Sequence, residues 1–507
     1  MNNNIKILLV YVNSMMDNLI PLNISYLAAA LREKGFDVAL FDTTFYRTAD
    51  KSSDEARVET LQVRPFDLAE FGIRYKDTDV FDDFRKTVSG YKPDLIGFSV
   101  VEPTYLLAEK LLESIKDMKG KSKVIFGGVF SIFAHEKIIA HPLVDMVCHG
   151  EGEKAIVEIA ERLKLGGTLK DIPSITVKEG GKIFHNKKGP LVDLDTLPYL
   201  DFSLFEKERF YKPMGGRVMR MVPVEFARGC PYMCTYCASP ALAGAFISCG
   251  KWYREKSVKR IIEEIEFYLA EYKTEYFYFI SESFLNMCED NFNEFIDRYK
   301  SIKIPFWFNT RVETVTREKL AKLESAGCDR ISIGLESGSE HVRRKLLKRH
   351  YSNDYFVDKF RIFDDFKIAV SVNNIIGFPD ETREQIFETI ELNRRIKAES
   401  FGAYIFQPFH GTILRDYCVE KGYISSSYMS GDSHMDARPA ISGISEEEVT
   451  GLQKTFSLYV TLPEEYRQDI KIAERSDEEG NKKFKELANI YAERIGQSRI
   501  LSFGFNE

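Results

Sequence analysis

The sequence predicts an α/β protein whose first third forms a doubly wound parallel sheet. Continuous apolar runs, such as residues 6–12, are typical of strands buried on both faces. Helical stripes follow the runs, with Ile24, Ala28 and Leu31 at i, i+4 and i+7. The two patterns alternate along the chain, and such alternation is typical of a parallel sheet with helical crossovers.

The remaining strands of the first third follow in order. They are expected at residues 38–41, 94–100, 124–126 and 144–148, with helical patterns between and after them. Residues 43 to 90 are charged and irregular, and we interpret most of them as an insertion or extended loop. Residues 166–215 contain short β-like pieces and turns, a pattern that is typical of a linker.

Composition and charge exclude several classes of protein. The 507 residues are 44% hydrophobic and 29% charged, as expected of a globular chain rather than a disordered one. No apolar run approaches the ~20 residues that cross a bilayer, and no signal-like stretch is present. A net charge of −7 argues against nucleic acid as a partner. The eight cysteines indicate thiols or metal ligands rather than disulfides, so we expect a cytoplasmic protein.

Small and acidic residues lie at the ends of the strands of the first third. They are Asn13-Ser14, Ser99, Gly127-Gly128 and Gly150-Glu151. Parallel sheets bind ligands at this edge, and small residues let a large flat ligand approach the backbone. Each residue alone has a simpler interpretation, because glycine and serine make tight turns and Glu151 suits the first turn of a helix. Four such ends in one domain predict a ligand site.

The order of these features resembles the cobalamin-binding domain that is fused to many radical enzymes. The similar segments are PLNISYLAAALREKG, PDLIGFSV, VIFGGVF and VDMVCHGEGE, within roughly residues 5 to 165. The resemblance implies that the strand-end residues bind cobalamin. The Asp-x-His-x-x-Gly motif of mutase-type cobalamin proteins does not occur in the chain, so we expect the lower face of cobalt to lack a histidine ligand.

Three cysteines within eight residues give the strongest signal in the chain. A strand-like run over residues 222–229 leads directly into Cys230, Cys234 and Cys237, spaced C-x3-C-x2-C. Three thiolates on one loop can bind three corners of a cubane iron–sulfur cluster and leave the fourth iron open. The alternative is zinc bound by four thiolates, with Cys249 as the fourth ligand.

The stretch GCPYMCTYC closely resembles the cluster motif of radical S-adenosylmethionine (radical SAM) enzymes. The resemblance implies a 4Fe-4S cluster whose open iron chelates the methionine end of SAM, within a partial (β/α)6 barrel. The chain agrees with such a barrel, because strand-like runs alternate six times with helical patterns over about 195 residues. After the first run they lie at 276–280, 304–309, 331–335, 369–376 and 402–407.

Residues at or near the ends of these strands resemble the elements with which the family binds SAM. The implied contacts are Tyr236, Glu282, Arg311, Glu336, Asn374 and Gly377. Tyr236 resembles the aromatic residue beside adenine, while Arg311 and Glu336 would address the methionine end or the ribose. The alternatives are a surface salt bridge for Arg311 and a helix-start acid for Glu336. The basic run at residues 343–349 is interpreted as a solvated helix face, with phosphate binding as the alternative.

The full chain resembles the cobalamin-dependent radical SAM enzymes, chiefly the class B methylases. We expect a cobalamin domain over residues 1–165, a linker over 166–215, a barrel over 216–415 and a mostly helical region over 416–507. The resemblance implies oxygen-sensitive methylation of an unactivated carbon through methylcobalamin and a 5′-deoxyadenosyl radical. The substrate would be a small molecule, lipid or peptide, and the electron donor a flavodoxin or ferredoxin.

Three other functions stay open. A cobalamin-assisted rearrangement, cyclisation or ring contraction would use the same cofactors without methyl transfer. A non-catalytic corrinoid or iron–sulfur sensor would not need a complete SAM pocket. Methylthiolation of tRNA would need a cysteine triad in the N-terminal domain, where Cys148 stands alone. No side-chain base is nominated, because none is strictly required if carbon accepts the methyl group.

Overall fold

The computed structural model describes residues 5–434, 436, 441 and 443–496 and divides into two compact units. The N-terminal unit comprises the chain up to Ser52, Leu68–Lys212 and Leu242–Arg254. The C-terminal unit comprises Ser53–Asp67, Pro213–Ala241 and the chain from Glu255 onward. Within the described part of the chain, no helix has the length and apolar character needed to cross a membrane.

The N-terminal unit is built on a seven-stranded sheet. Its strands are β1 (Lys6–Tyr11), β2 (Asp37–Asp42), β3 (Leu95–Ser99), β4 (Lys123–Gly127), β5 (Met146–Cys148), β6 (Ile175–Glu179) and β7 (Lys182–His185). The spatial order is β2-β1-β3-β4-β5-β6-β7, with β1 to β5 parallel and β6 and β7 antiparallel. This order confirms the predicted doubly wound sheet.

Helices connect these strands. They are α1 (Leu22–Glu33), α3 (Val80–Tyr91), α4 (Glu102–Ser114), α5 (Val129–Phe133), α6 (His135–Ala140) and α7 (Gly152–Leu165), while α2 (Ser53–Glu59) belongs to the C-terminal unit. The predicted stripe of Ile24, Ala28 and Leu31 is buried, as expected of the core face of α1.

Residues 43 to 90 are more ordered than the sequence indicated. They contain α2, α3 and a 3-10 turn at Ala69–Phe71. Asp79 caps the N-terminus of α3, where its carboxylate accepts hydrogen bonds from the backbone N–H groups of Phe81 and Asp82. It buries Phe84 and Val88. The charged residues between these apolar positions concealed the helical period.

Part of the expected linker belongs to the first sheet. Within residues 166–215, β6 pairs antiparallel with β5, and β7 pairs with β6. The segment then makes 3-10 turns at Leu194–Thr196 and Lys207–Phe210. An antiparallel hairpin at the edge of a parallel sheet is short and partly exposed, so its sequence looks like turns rather than buried strands.

The C-terminal unit is built on a second seven-stranded sheet. Its strands are β8 (Tyr211–Met214), β9 (Arg217–Glu225), β12 (Tyr276–Ile280), β13 (Phe306–Thr310), β14 (Cys328–Glu336), β15 (Ala369–Ile376) and β16 (Ser400–Ile405), and two short strands are β10 (Ala227–Arg228) and β11 (Arg254–Glu255). The order is β16-β15-β14-β13-β12-β9-β8, and β9 and β12 to β16 are parallel. All six predicted barrel strands are therefore present, and the partial barrel is confirmed.

Helices alternate with these strands and then continue to the end of the described chain. They are α8 (Ser239–Ala245), α9 (Val258–Tyr272), α10 (Glu289–Tyr299), α11 (Arg317–Ser325), α12 (Asn353–Arg361), α13 (Arg383–Arg394), α14 (Ile413–Glu420), α15 (Glu446–Thr461), α16 (Arg467–Ala473) and α17 (Glu478–Arg494). Apolar residues of the last three helices, including Phe456, Ile470 and Phe484, form one core with Ala403 and Ile405 of β16. The predicted helical C-terminal region thus covers the last strand of the barrel.

Candidate active site

The C-terminal unit contains a cavity of about 440 Å³ at the carboxyl ends of its parallel strands. Its described polar lining comprises Glu282, Asn309, Thr310, Arg311, Ser332, Glu336, Arg349, Asn373, Gln407 and Ser433. Its aromatic and apolar lining comprises Tyr232, Tyr236, Ile375, Tyr404, Ile405, Phe406 and Phe409. The structure therefore brings together four of the six expected SAM contacts: Tyr236, Glu282, Arg311 and Glu336.

The three cysteines of the C-x3-C-x2-C loop line the same cavity. Gly229 has a φ of +87°, a conformation that glycine adopts readily, and it turns the chain from β10 into the loop. Burial raises the pKa of the Cys230 thiol and raises that of Cys237 to about 11. Thiols in such surroundings ionise when a metal binds them. Three thiols around one cavity fit three corners of a cubane cluster and leave the fourth corner facing the cavity.

Cys249 is not among the described residues that line this cavity. It belongs to the N-terminal unit, where its carbonyl accepts a hydrogen bond from the backbone N–H of Leu191. The four-thiolate zinc alternative would need this residue as its fourth ligand. The donor set of the cavity therefore fits a three-cysteine cluster better than a structural zinc ion.

Arg311 is buried and contacts the cysteine loop directly. Its Nη1 donates to Sγ of Cys234 at 3.2 Å, and its guanidinium lies 3.8 Å from the ring centroid of Tyr232. Glu313 balances the charge through two hydrogen bonds from the guanidinium, the one from Nε being 3.3 Å long. The surface salt bridge considered for Arg311 is wrong, because only 8% of the residue is exposed.

Glu336, Tyr236 and Arg349 form one buried network. The guanidinium of Arg349 donates to Oε1 of Glu336 at 3.1 Å, to the Tyr236 hydroxyl at 3.0 Å and to the Gly334 carbonyl at 2.6 Å. Burial raises the pKa of Glu336, although the charge of Arg349 opposes this effect. Glu336 has a φ of +68°, and a Cβ at Gly334 would lie 2.1 Å from Oε1 of Glu336. The carboxylate therefore occupies space that a side chain at position 334 would fill, and glycine is required there.

Arg349 is a cavity residue that the sequence did not reveal. The run at residues 343–349 was expected to be a solvated helix face, yet Arg343 and Arg349 are 0% and 2% exposed. Arg343 donates to the Ser337 carbonyl at 2.7 Å and to Oδ1 of Asn353 at 2.7 Å. Clustered basic residues look the same in a sequence whether they face solvent or bind carbonyl groups, so no local signal separated the two.

Glu282 is a second carboxyl group in the cavity lining whose pKa is changed by its surroundings. Burial raises its pKa to about 7, against hydrogen bonds from the backbone, including one involving Gly229. The group can therefore be neutral or charged near neutral pH. A residue with this property, beside the cysteine loop, can donate or accept a hydrogen bond from a bound ligand.

Asn374 and Gly377 are not among the described residues that line the cavity. The Asn374 side chain lies on the opposite face of β15, where its amide exchanges hydrogen bonds with Asn393. Asn373, one residue earlier, lines the cavity instead. Successive side chains of a strand point to opposite faces, so Asn373 and Asn374 lie on different sides of β15. The N–H of Gly377 donates to the Glu381 carboxylate at 2.7 Å, which fixes the turn after β15.

In the N-terminal unit, the expected cobalamin contacts share one sheet edge. The register pairs Tyr11 with Ser99 and Ser99 with Gly127, so β1, β3 and β4 end side by side. The carboxyl end of β5 lies next to them. The structure therefore brings the ends that carry Asn13 and Gly150 to the same edge, as the alternation predicted.

Several of these residues bind their own chain. The Asn13 amide donates to the Asp17 carbonyl at 2.7 Å and to Oγ1 of Thr44 at 2.9 Å. Oγ of Ser99 accepts from Nδ2 of Asn23 at 2.6 Å. The Ser14 carbonyl accepts from the N–H of Asp17 at 3.2 Å. These contacts shape the loops at the sheet edge rather than leaving the polar groups free.

Glu151 and the glycines at the strand ends also lie close to other parts of the chain. The Glu151 carboxylate accepts from the N–H of Val192 at 2.7 Å and from Nη2 of Arg254 at 2.5 Å. Glu151 is the residue before the first turn of α7, but its side chain makes no capping hydrogen bond there. A Cβ at Gly128 would lie 2.3 Å from the Val100 carbonyl oxygen, and one at Gly150 would lie 2.3 Å from Oγ of Ser174. Gly127 is less crowded, with Cys148 3.8 Å from such a Cβ. Close approach of the chain itself therefore requires glycine at positions 128 and 150.

Comparison with protein families defines the class of this protein. Residues 224–392 match the Radical SAM superfamily, and this segment begins in the strand that leads to the three cysteines. The protein is a radical SAM enzyme. Residues 8–160 match the B12 binding domain and cover the parallel part of the first sheet. The chain belongs to the cobalamin-dependent radical SAM enzymes.

Individual relatives are distant. The chain is 26% identical over 398 residues to an uncharacterized methyltransferase of Pyrococcus horikoshii, covering 77% of this chain and 83% of that protein. It is 25% identical over 331 residues to the anaerobic magnesium-protoporphyrin IX monomethyl ester cyclase of Rubrivivax gelatinosus, covering 62% of this chain and 56% of the cyclase. The methyltransferase TsrM from Kitasatospora setae, solved with cobalamin and its iron–sulfur cluster, has the same fold, with a TM-score of 0.61 at 16% identity over 86% of this chain and 84% of TsrM.

Proposed function

We propose that this enzyme methylates an unactivated carbon of its substrate. One observation carries the proposal: a single chain joins a cavity lined by three free cysteines to a B12 binding domain. The relative from Pyrococcus horikoshii and the structural neighbour TsrM are both named as methyltransferases, which supports the same activity. When bound, the cluster and SAM supply a 5′-deoxyadenosyl radical, and cobalamin carries the methyl group.

Different residues of the cavity would bind the cluster and SAM. Cys230, Cys234 and Cys237 hold the cluster, and Arg311 places a positive charge against the sulfur of Cys234. Tyr236 and Glu336, whose side chains Arg349 orients, contact the adenosine part of SAM. Such fixed groups hold a reacting atom in position without reorganising during the reaction.

The apolar and aromatic part of the cavity lining would exclude water from the radical. Ile375, Tyr404, Phe406 and Phe409 are among the residues that form it. Aromatic rings fill space that water would otherwise occupy, so few polar groups that could donate hydrogen lie near the radical. Gln407 and Ser433 supply polar groups there and could orient a small-molecule, lipid or peptide substrate.

The chemistry also indicates a compartment and a partner. All eight cysteines are free thiols, and an oxygen-sensitive cluster requires reducing surroundings, which favours the cytoplasm. Each turnover that makes a radical consumes one electron. We therefore include an electron-transfer protein, such as flavodoxin or ferredoxin, among the partners.

A second function has specific support. The match to the magnesium-protoporphyrin cyclase leaves open a cobalamin-assisted ring closure or rearrangement without methyl transfer. The two functions share their cofactors and differ in the fate of the methyl group of SAM. An isotope experiment on that methyl group separates them without knowledge of the substrate.

The enzyme would be reconstituted without oxygen with iron, sulfide and cobalamin, reduced, and given SAM with a deuterated methyl group. Mass spectrometry would then detect the products. Labelled methyl on cobalamin with an equal amount of S-adenosylhomocysteine, beside 5′-deoxyadenosine, is the expected result. Formation of 5′-deoxyadenosine on a cobalamin-loaded enzyme without labelled cobalamin would contradict methyl transfer and favour the cyclase-type function.

A further inference from the structure

Two histidines and a glutamate lie close together in the N-terminal unit. Glu136 follows His135 at the start of α6, and His185 is the last residue of β7. One possible ligand atom of each side chain lies within 4.8 Å of those of the other two. None of the three is among the residues that line the cavity at the cysteine loop. Imidazole nitrogen and carboxylate oxygen are typical ligands of Zn²⁺.

The distances within this cluster fit a tetrahedral ion. Oε1 of Glu136 lies 3.4 Å from Nε2 of His135 and 3.5 Å from Nδ1 of His185. Ligands that bind zinc tetrahedrally at about 2.0–2.1 Å are roughly 3.3 Å from one another. Glu136 and His185 are exposed, so their side chains can rotate to bring the remaining pair of ligand atoms into range. Water would take the fourth position.

The imidazole of His135 is available to a metal ion. Its Nδ1 atom is buried and has no hydrogen-bond partner in the described part of the chain. Buried polar atoms without a partner are uncommon in folded proteins, and an ion or a water molecule at the site is one reason for them. The ring of His149 lies nearby, with its centroid 5.4 Å from that of His135. Nitrogen ligands are thus concentrated here, which favours Zn²⁺ over Mg²⁺ or Ca²⁺.

We propose that His135, Glu136 and His185 bind one Zn²⁺ ion, which fastens the hairpin of β6 and β7 to α6. We name these three residues the imidazole site. Within the described chain β7 is the last strand of its sheet and pairs only with β6, and most of its residues are exposed. The ligands come together only in the folded chain, so binding of the ion would stabilise this edge of the sheet. The imidazole site shares no residue with the candidate active site, so the inference does not depend on the proposed function.

The first test is calorimetric titration of Zn²⁺ into the enzyme reconstituted with its cluster and cobalamin, so that the cluster cysteines are already occupied. His135→Ala/His185→Ala removes both nitrogen ligands, and His341→Ala/His350→Ala removes two exposed histidines of the C-terminal unit as a control. Loss of a residue that only supports a ligand weakens metal binding about 10–100-fold, so loss of two ligands should weaken it at least a hundredfold. The unaltered and control proteins should bind one equivalent with equal affinity. Equal affinity of the site variant, or no binding to the unaltered protein, would overturn the proposal.

A milder variant keeps the test valid if the double substitution disturbs folding. Glu136→Gln preserves the shape of an exposed side chain and removes its charge, so the melting temperature without metal should not change. Its affinity for Zn²⁺ should fall about tenfold or more, because a neutral amide is a poor zinc ligand. Glu161→Gln, at an exposed position of α7, should bind Zn²⁺ like the unaltered protein. Unchanged affinity in Glu136→Gln would remove the carboxylate from the site and overturn the three-ligand assignment.

Hydrogen exchange tests whether the ion fastens the hairpin. Zn²⁺ should slow exchange of the backbone amides of β6 and β7 in the unaltered protein and should raise its melting temperature, because a ligand that binds only the folded chain stabilises it. The site variant should show neither change. Bound Zn²⁺ without slower exchange in the hairpin would contradict the fastening. Absence of 5′-deoxyadenosine from the unaltered enzyme would contradict the proposed function alone, since the titration and the exchange experiment do not require turnover.

Discussion

The two units place their candidate sites at the same kind of location, yet they use the residues there differently. In the C-terminal unit, side chains near the strand ends line a cavity, and some of them pair with one another, as Arg349 does with Glu336. In the N-terminal unit, the residues singled out at the strand ends bind their own chain. Asn13 caps a neighbouring loop, and Glu151 holds a backbone N–H and Arg254.

The difference shows what can and cannot be predicted from the rule that parallel sheets bind ligands at the carboxyl ends of their strands. The rule locates a ligand edge because the carboxyl ends of parallel strands lie together. It does not say which side chains are free, because turns and ligands recruit the same small and polar residue types. A ligand as large as cobalamin can be bound by backbone and shape, whereas a cluster requires particular sulfur atoms. The sequence therefore specifies the second site more closely than the first.

The largest expected effect comes from the cysteine loop. Cys230→Ala removes one of three cluster ligands, and we expect loss of bound iron and of all detectable 5′-deoxyadenosine. The readouts are iron and sulfide content, the visible absorption of the cluster, and product analysis. Cys288→Ala changes an exposed thiol and serves as the control, with iron content and product formation unchanged. Full iron content in Cys230→Ala would contradict the cluster assignment.

The next effect concerns the network around Arg349. Arg349→Lys keeps the charge but cannot donate to Tyr236, Glu336 and Gly334 at once, because lysine lacks the planar fork of arginine. Losing one or two charge-assisted hydrogen bonds at about 1.5–3 kcal/mol each should weaken SAM binding at least tenfold. Calorimetry with SAM on the reconstituted protein measures this change.

The exposed neighbour Arg344 provides a matched control for that variant. Arg344→Lys should bind SAM as tightly as the unaltered protein and should keep its melting temperature. If Arg349→Lys also bound SAM normally, the network would serve folding alone, and Arg349 would no longer be a positioning residue for the site.

Much of the fold could be predicted because it depends on strong patterns. The six barrel strands and the parallel sheet could be recognised from their buried apolar runs, and the cysteine spacing identified the cysteine loop. The helix α3 and the hairpin of β6 and β7 were missed, because charged or exposed residues weaken the period. Arg349 was missed for a different reason: its three acceptors come from segments that fold together only in three dimensions.

The two faces of β15 should respond differently to substitution. Asn374→Ala removes a buried pairing with Asn393, so it should lower the free energy of unfolding by about 1–3 kcal/mol. Its effect on SAM binding should be small. Asn373→Ala should do the opposite and weaken ligand binding in the cavity with little change in stability. Thermal unfolding and SAM calorimetry on both variants check this, and reversed results would mean that the ligand contacts lie on the Asn374 face after all.

The smallest effect tests the N-terminal unit. Glu151→Gln keeps the shape of the side chain but loses the charge that binds Arg254 and the N–H of Val192. We expect a loss of about 1 kcal/mol in stability, because both groups of the ion pair are only partly buried. Retention of cobalamin after gel filtration should match that of the control Glu161→Gln, an exposed glutamate on α7. A selective loss of cobalamin from Glu151→Gln would show that the carboxylate serves the cofactor as well as the chain, and the two units would then use their strand ends in the same way.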